Sequence, residues 1–221
     1  MFFTEHLYFS VGLYTLITLW IPLFIFNRKG RKWMFYMSLA GLILGLPFVQ
    51  KMYIIDWWQP NFIFNSLIKI EDLLFGFSVV GSISSIYSLF KSKDKELIQK
   101  KFLLAHKIII IIITFTIFFS LFYILKLHSF WVTIIGSSFG VIIVASKKIS
   151  FLKYAFLTGV FLSVFFLPVY LLGIYFNPGF IQNEWFLTKL SGITFLSIPI
   201  EEFIWYIFAG LGMSALQELF E

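Results

Sequence analysis

Apolar residues run in long stretches along this chain, with short polar breaks between them. A hydrocarbon core of ~30 Å takes about 20 residues of helix to cross. Seven stretches reach or approach that length: 7–26, 33–55, 67–90, 103–125, 129–145, 154–176 and 187–217. Each is read as a transmembrane helix. The fifth is short. The seventh is too long for one straight crossing, so 184–198 is expected to form an interfacial or re-entrant piece. The first run, Leu7 to Phe26, lacks a basic leader and a small-residue cleavage site, and is read as a span.

Composition agrees with this pattern. Of 221 residues, 60% are hydrophobic and only 13% are charged, against roughly a quarter charged in a soluble domain. Such a chain cannot cover a water-facing surface, so the bilayer is its main solvent. The absence of cysteine excludes disulfides, thiolate catalysis and Cys-based metal sites, and no metal is expected.

The net charge of +6 is explained by its placement. Thirteen of the 17 Lys and Arg residues fall in or beside loops 27–32, 91–101 and 146–153, the first, third and fifth. These loops share one side. By the positive-inside rule that side is cytoplasmic, which puts the N-terminus outside and the C-terminus inside. The expected location is the cell membrane, multi-pass. No nucleic-acid partner is needed.

The chain also repeats itself. Lys32-Trp33-Met34-Phe35 parallels Lys153-Tyr154-Ala155-Phe156, and Leu46-Pro47 parallels Leu167-Pro168 at the same offset of 121. Gln59-Pro60-Asn61-Phe62-Ile63 parallels Asn177-Pro178-Gly179-Phe180-Ile181, and Ile70-Glu71-Asp72 parallels Ile200-Glu201-Glu202. The expected fold is an all-α membrane protein of seven transmembrane helices, arranged as two parallel three-helix repeats (1–101 and 128–221) and a linker helix (102–127). Parallel repeats are related by an axis along the membrane normal, so helices 3 and 7 should be neighbours with both acidic pairs at similar depth.

Four of the 11 acidic residues, Glu71, Asp72, Glu201 and Glu202, are set in apolar helical sequence. A charged side chain at helix-centre depth costs about 2.5–3.5 kcal/mol on insertion scales, so these acids should face the bundle interior. Ser66 and Ser197 read as N-caps, with Pro199 in the first turn. Trp57, Trp58, Phe62, Phe77, Trp185, Phe203 and Tyr206 lie nearby in sequence. Phe75 and Trp205 each follow the first acid of a pair by four residues, which puts acid and ring on one helix face. Acids in a low-dielectric cavity with π-faces suit protonation of an alkene and shielding of the resulting cation. The substrate would be an apolar polyene entering from the lipid.

At these residues the sequence resembles the membrane-integral lycopene cyclase domain family, whose signature is Pro-x-Glu-Glu/Asp followed by aromatics, preceded by Asn-Pro, once per three-helix half. Pro199-Ile200-Glu201-Glu202-Phe203 and Asn177-Pro178 carry the likeness. In the first half Lys69 replaces the motif proline and Gln59 the upstream Asn. The resemblance implies a redox-neutral cyclisation of a lycopene-type end group with Glu71, Asp72, Glu201 and Glu202 as acid–base residues. It implies Phe75, Trp205, Asn177, Pro178 and Trp57 as substrate-binding residues, and other carotenoid-pathway enzymes as partners. An ammonium at Lys69 favours the anion of Glu71, which makes Glu201 or Glu202 the expected proton donor. No Gly-x-Gly-x-x-Gly occurs, so no flavin or nicotinamide cofactor is expected.

A transporter of the three-one-three type shares this topology, but its pathway needs polar lining beyond the acidic pairs. An intramembrane protease of Glu-Glu-x-x-x-Arg type needs Arg at 206, where the chain has Tyr206. A retinal protein needs a mid-helix Lys, and Lys189 lies at the edge of its stretch. His6, His106 and His128 read as interfacial. Gly41-x-x-x-Gly45 and Gly136-x-x-x-Gly140 read as close helix-packing sites.

Overall fold

A computed structural model describes residues 6–44, 50–63, 69–91 and 103–221. The helices are α1 (Leu7–Phe26), α2 (Arg31–Leu44), α3 (Gln50–Asp56), α4 (Ile70–Lys91), α5 (Leu104–Ile124), α6 (Ser129–Lys147), α7 (Phe151–Phe176), α8 (Phe180–Glu184) and α9 (Ile200–Phe220). Among the described residues six of them, all but α2, α3 and α8, are long and apolar enough to cross a membrane. The chain is an all-α, multi-pass membrane protein. The expected second span, 33–55, corresponds to α2 and α3; Gly45, Pro47 and Ser66 lie outside the described residues.

The seventh stretch is not one long helix. α9 begins at Ile200, and the residues before it form α8, a single 3-10 turn at Leu187–Lys189, and a two-residue hairpin of β1 (Thr194–Phe195) and β2 (Ile198–Pro199). Leu196 and Ser197 make the hairpin turn with φ of 53° and 66°. Paired positive φ values match the twist of short antiparallel ribbons. Ser197 is therefore committed to the turn and is not the N-cap of α9. Pro199 occupies that position without a side-chain cap bond.

Contacts recur in two groups. α4 packs along α2 and α1, α9 packs along α7 and α6, and α4 also meets α7 and α9. In each group two glycines let helix backbones touch. A Cβ on Gly76 would lie 2.8 Å from the carbonyl oxygen of Gly41. A Cβ on Gly159 would lie 2.6 Å from Cα of Ile207, and one on Gly210 would lie 2.5 Å from Cα of Gly159. Gly136 faces Phe118 of α5, whereas Gly140, expected to be a packing site, has open space around it. Pro168 lies inside α7.

α5 packs on α6 and leaves most of its apolar surface uncovered, with Ile112 58% exposed. In a bilayer that surface meets lipid. At their C-terminal ends α4 and α9 are clasped by polar side chains. Glu218 Oε2 accepts from Tyr87 Oη at 2.5 Å and from Lys91 Nζ at 2.7 Å, and Gln217 Nε2 donates to Ser88 Oγ at 2.9 Å. At the opposite end, the same two helices present the acidic pairs.

Candidate active site

Glu71 and Asp72 occupy the first turn of α4, and Glu201 and Glu202 the first turn of α9; all four are buried. Successive helical residues point about 100° apart, and the members of each pair have different partners. The first member holds the loop that precedes its helix. Glu71 Oε1 accepts the backbone N–H of Ile63 at 2.6 Å, and Glu201 Oε1 accepts that of Ser191 at 2.7 Å. The second member faces side chains of other helices. Asp72 Oδ1 accepts from Tyr8 Oη of α1 at 2.9 Å. Glu202 Oε1 accepts from the indoles of Trp57 (2.8 Å) and Trp185 (2.7 Å), and its Oε2 accepts from Tyr170 Oη at 2.5 Å.

Glu202 and its three donors line an apolar cavity of about 70 Å³. Its wall contains Phe75 and Trp205, whose ring centroids are 6.4 Å apart, together with Tyr8, Trp57, Trp58 and Tyr206. Of the four motif acids only Glu202 lines the cavity. Asp72 lies behind Tyr8, while Glu71 and Glu201 are turned to their loops. A fifth carboxylate, Glu184, also lines it. Trp205 is held in place by donation from Nε1 to Tyr53 Oη at 2.9 Å. Lys69, which stands where the motif has proline, places its ammonium 4.7 Å from the Phe62 ring centroid.

The cavity is closed on one side by the loops before α4 and α9. Gln59 N donates to Glu184 O at 2.7 Å, Phe186 N donates to Trp57 O at 2.9 Å, and the Trp58 and Trp185 rings stack at 5.8 Å. Asn177 and Pro178 do not line the cavity. They form the turn after α7, where Phe180 N donates to Asn177 O at 2.8 Å. That turn starts α8 and so carries Phe180, Glu184 and Trp185 into the wall. Phe77 contacts Trp20, and Phe203 contacts Phe195, both away from the cavity.

Tyr8, Tyr53, Tyr170 and Glu184 are wall residues that sequence reasoning did not single out. Tyr170 has one local sign, its place two residues after the mid-helix Pro168. Glu184 has another, as an acid beside Trp185 between the two motifs. His128 is more than interfacial: it meets the carbonyl of Asp56 at 2.9 Å, and Asp56 accepts from Ser129 N at 2.8 Å, capping α6.

Burial pushes the Glu184 carboxyl up to about 7 from an ordinary 4.5. The fold therefore binds this proton more tightly than the unfolded chain does. Its contribution to stability is complete below about 4.5 and is lost as pH rises towards 7. The detergent-solubilised protein is expected to lose melting temperature between pH 4.5 and 7, and Glu184→Gln should flatten that dependence. An unchanged pH slope in the variant would contradict the assignment.

Among curated proteins and solved structures, none matches the chain. Residues 128–220, from the start of α6 to the end of α9, match a family model described as lycopene cyclase. This stretch contains Asn177, Pro178, Glu184, Glu201, Glu202 and Trp205. The second half of the chain is thus similar to the lycopene cyclase family, a likeness that supports a carotenoid cyclase function in general terms.

Proposed function

We propose that the protein is a lycopene β-cyclase-like isomerase of the cell membrane. It closes the linear end group of a polyene into a ring by proton addition and proton loss, with no redox cofactor. The observation that carries this reading is Glu202, a buried carboxylate held by three side-chain donors in the wall of an aromatic cavity. Cyclisation needs a group that moves a proton at the substrate and surroundings that tolerate a carbocation. Glu202 supplies the first, and the faces of Phe75 and Trp205 supply the second, worth up to ~2 kcal/mol when desolvated. The family match gives no support to transport.

A cavity of about 70 Å³ has room for about two waters, whereas ligand pockets commonly hold roughly 300–1,000 Å³. Entry of an end group therefore requires wall side chains to part. The lipophilic substrate arrives from the bilayer, and enzymes that supply or consume carotenoids are the expected partners. The two contact groups around α4 and α9 support a parallel repeat, and the placement of Lys and Arg supports an N-terminus outside and a C-terminus inside.

Two measurements test this reading. Lycopene-accumulating cells expressing the chain should form monocyclic or bicyclic product; unchanged lycopene beside well-inserted protein would rule out lycopene as substrate. Reporter fusions should place Lys29 and Lys148 in the cytoplasm and Asn61 outside, and a cytoplasmic Asn61 would overturn the parallel arrangement.

A further inference from the structure

We infer that Glu184, which lies outside both acidic motifs, is the proton-donating carboxyl of the cavity and that Glu202 is the proton acceptor. The inference rests on the cyclase reading above. A ring closure of this type needs two groups, one to add a proton and one to remove another. Two carboxylates reach the cavity wall, and they are Glu202 and Glu184.

Their surroundings differ in the sense that the two roles require. Glu202 faces three donors, the Trp57 and Trp185 indoles and the Tyr170 hydroxyl. An ionised carboxylate is acceptor-only, and an indole N–H can only donate. This shell fits a carboxylate waiting to take a proton. Glu184 is held by its backbone, through the bond from Gln59 N to its carbonyl. Its Oε2 is buried without a hydrogen-bond partner among the described residues. An alkene offers no hydrogen-bond acceptor of ordinary strength, so a carboxyl with an oxygen left unbonded in the wall of an apolar cavity is suited to protonate carbon. The upward shift of Glu184 keeps a substantial fraction neutral near pH 7. The other titratable groups in the wall are Tyr8, Tyr53, Tyr170 and Tyr206.

The step balances without another reactant. The Glu184 O–H bond breaks as a C–H bond forms at the terminal alkene, leaving a tertiary cation. The electron pair of the internal alkene closes the ring onto that cation and moves the positive charge to a ring carbon. Glu202 then removes a proton from the adjacent carbon, whose C–H electrons become the new double bond. Return of one proton from Glu202 to Glu184, directly or through water, resets the pair.

The two roles predict different failures in membranes assayed in deuterium oxide. Glu184→Gln should lower cyclisation by about 10²–10⁴-fold and return acyclic substrate without deuterium. Glu202→Gln should still protonate substrate, yielding deuterium-exchanged acyclic polyene or ring isomers that lost a different proton. Glu184→Asp keeps the carboxyl on a shorter stem and should restore at least tenfold over the Gln variant per folded protein. The Asp variant also decides the matter should the Gln variant not accumulate. Wild-type-like cyclisation by Glu184→Gln, exchange that survives in it, or a well-accumulated but inert Glu184→Asp would each overturn the assignment. A wild type that cyclises no acyclic polyene would instead remove the cyclase reading, and this inference with it.

Discussion

Glu202→Gln is expected to abolish the wild-type ring product, while Glu201→Gln keeps its formation within about tenfold of wild type. The amide matches the carboxylate in size, so the fold should survive both changes. At position 202 it cannot take up the proton that the reaction releases, a loss of about 10²–10⁴-fold for general acid–base catalysis alone. It also turns one acceptor into an NH₂ donor amid Trp57, Trp185 and Tyr170. A buried donor left without an acceptor costs about 1–3 kcal/mol more. At position 201 the amide oxygen can still accept from Ser191 N, the bond that Glu201 makes. Sequence reasoning left the two acids equivalent as donor candidates, and their partners separate them. Product analysis of both variants at matched protein levels checks this, and activity retained in Glu202→Gln but lost in Glu201→Gln would reverse it.

Gly159→Val is expected to be the most damaging change away from the cavity. Its Cβ would meet backbone atoms of Ile207, including Cα at 2.6 Å, and backbone cannot rotate aside as a side-chain tip can. α7 and α9 would have to separate, and overpacking of a well-packed site costs about 1–3 kcal/mol or more. Because α9 carries Glu202 at its N-terminal end, the displacement should also reduce cyclisation. Gly140→Ala, placed in open space, should melt within a degree or two of wild type. Thermal unfolding in detergent compares them, and equal stability of the two variants would show that the helices do not approach as closely as described.

The membrane made much of this fold legible. A fixed hydrocarbon thickness forces helix lengths, so α1, α4, α5, α6 and α7 match the apolar stretches to within three residues at each end, and charged residues in apolar sequence marked the start of α4 and α9. The hairpin at Thr194–Pro199 was not legible, because Leu196 and Ser197 carry none of the Gly or Asn chemistry that signals positive φ. Glycine spacing revealed a helix face but not its partner: Gly41 meets Gly76, and Gly159 meets Gly210, pairs that only tertiary structure brings together. The same applies to the site. Glu202, Phe75, Trp205 and Trp57 were visible from the motifs and their spacing. Tyr8, Tyr170 and Glu184 lie at the cavity because distant segments fold against the motif, and nothing local in an acid before a Trp tells a half-buried carboxyl from a wet one.

The shell of Glu202 draws on both sides of α5. Trp185 and Tyr170 come from the same stretch as the acid, while Trp57 comes from just after α3, more than a hundred residues earlier. The stretch that matches the family model and the segments that hold Glu202 therefore do not coincide. A gene fragment encoding 128–220 would carry Glu202, yet it would lack one of that residue's three donors. A substitution at Trp57 would be felt at Glu202 without altering any residue of the matched stretch.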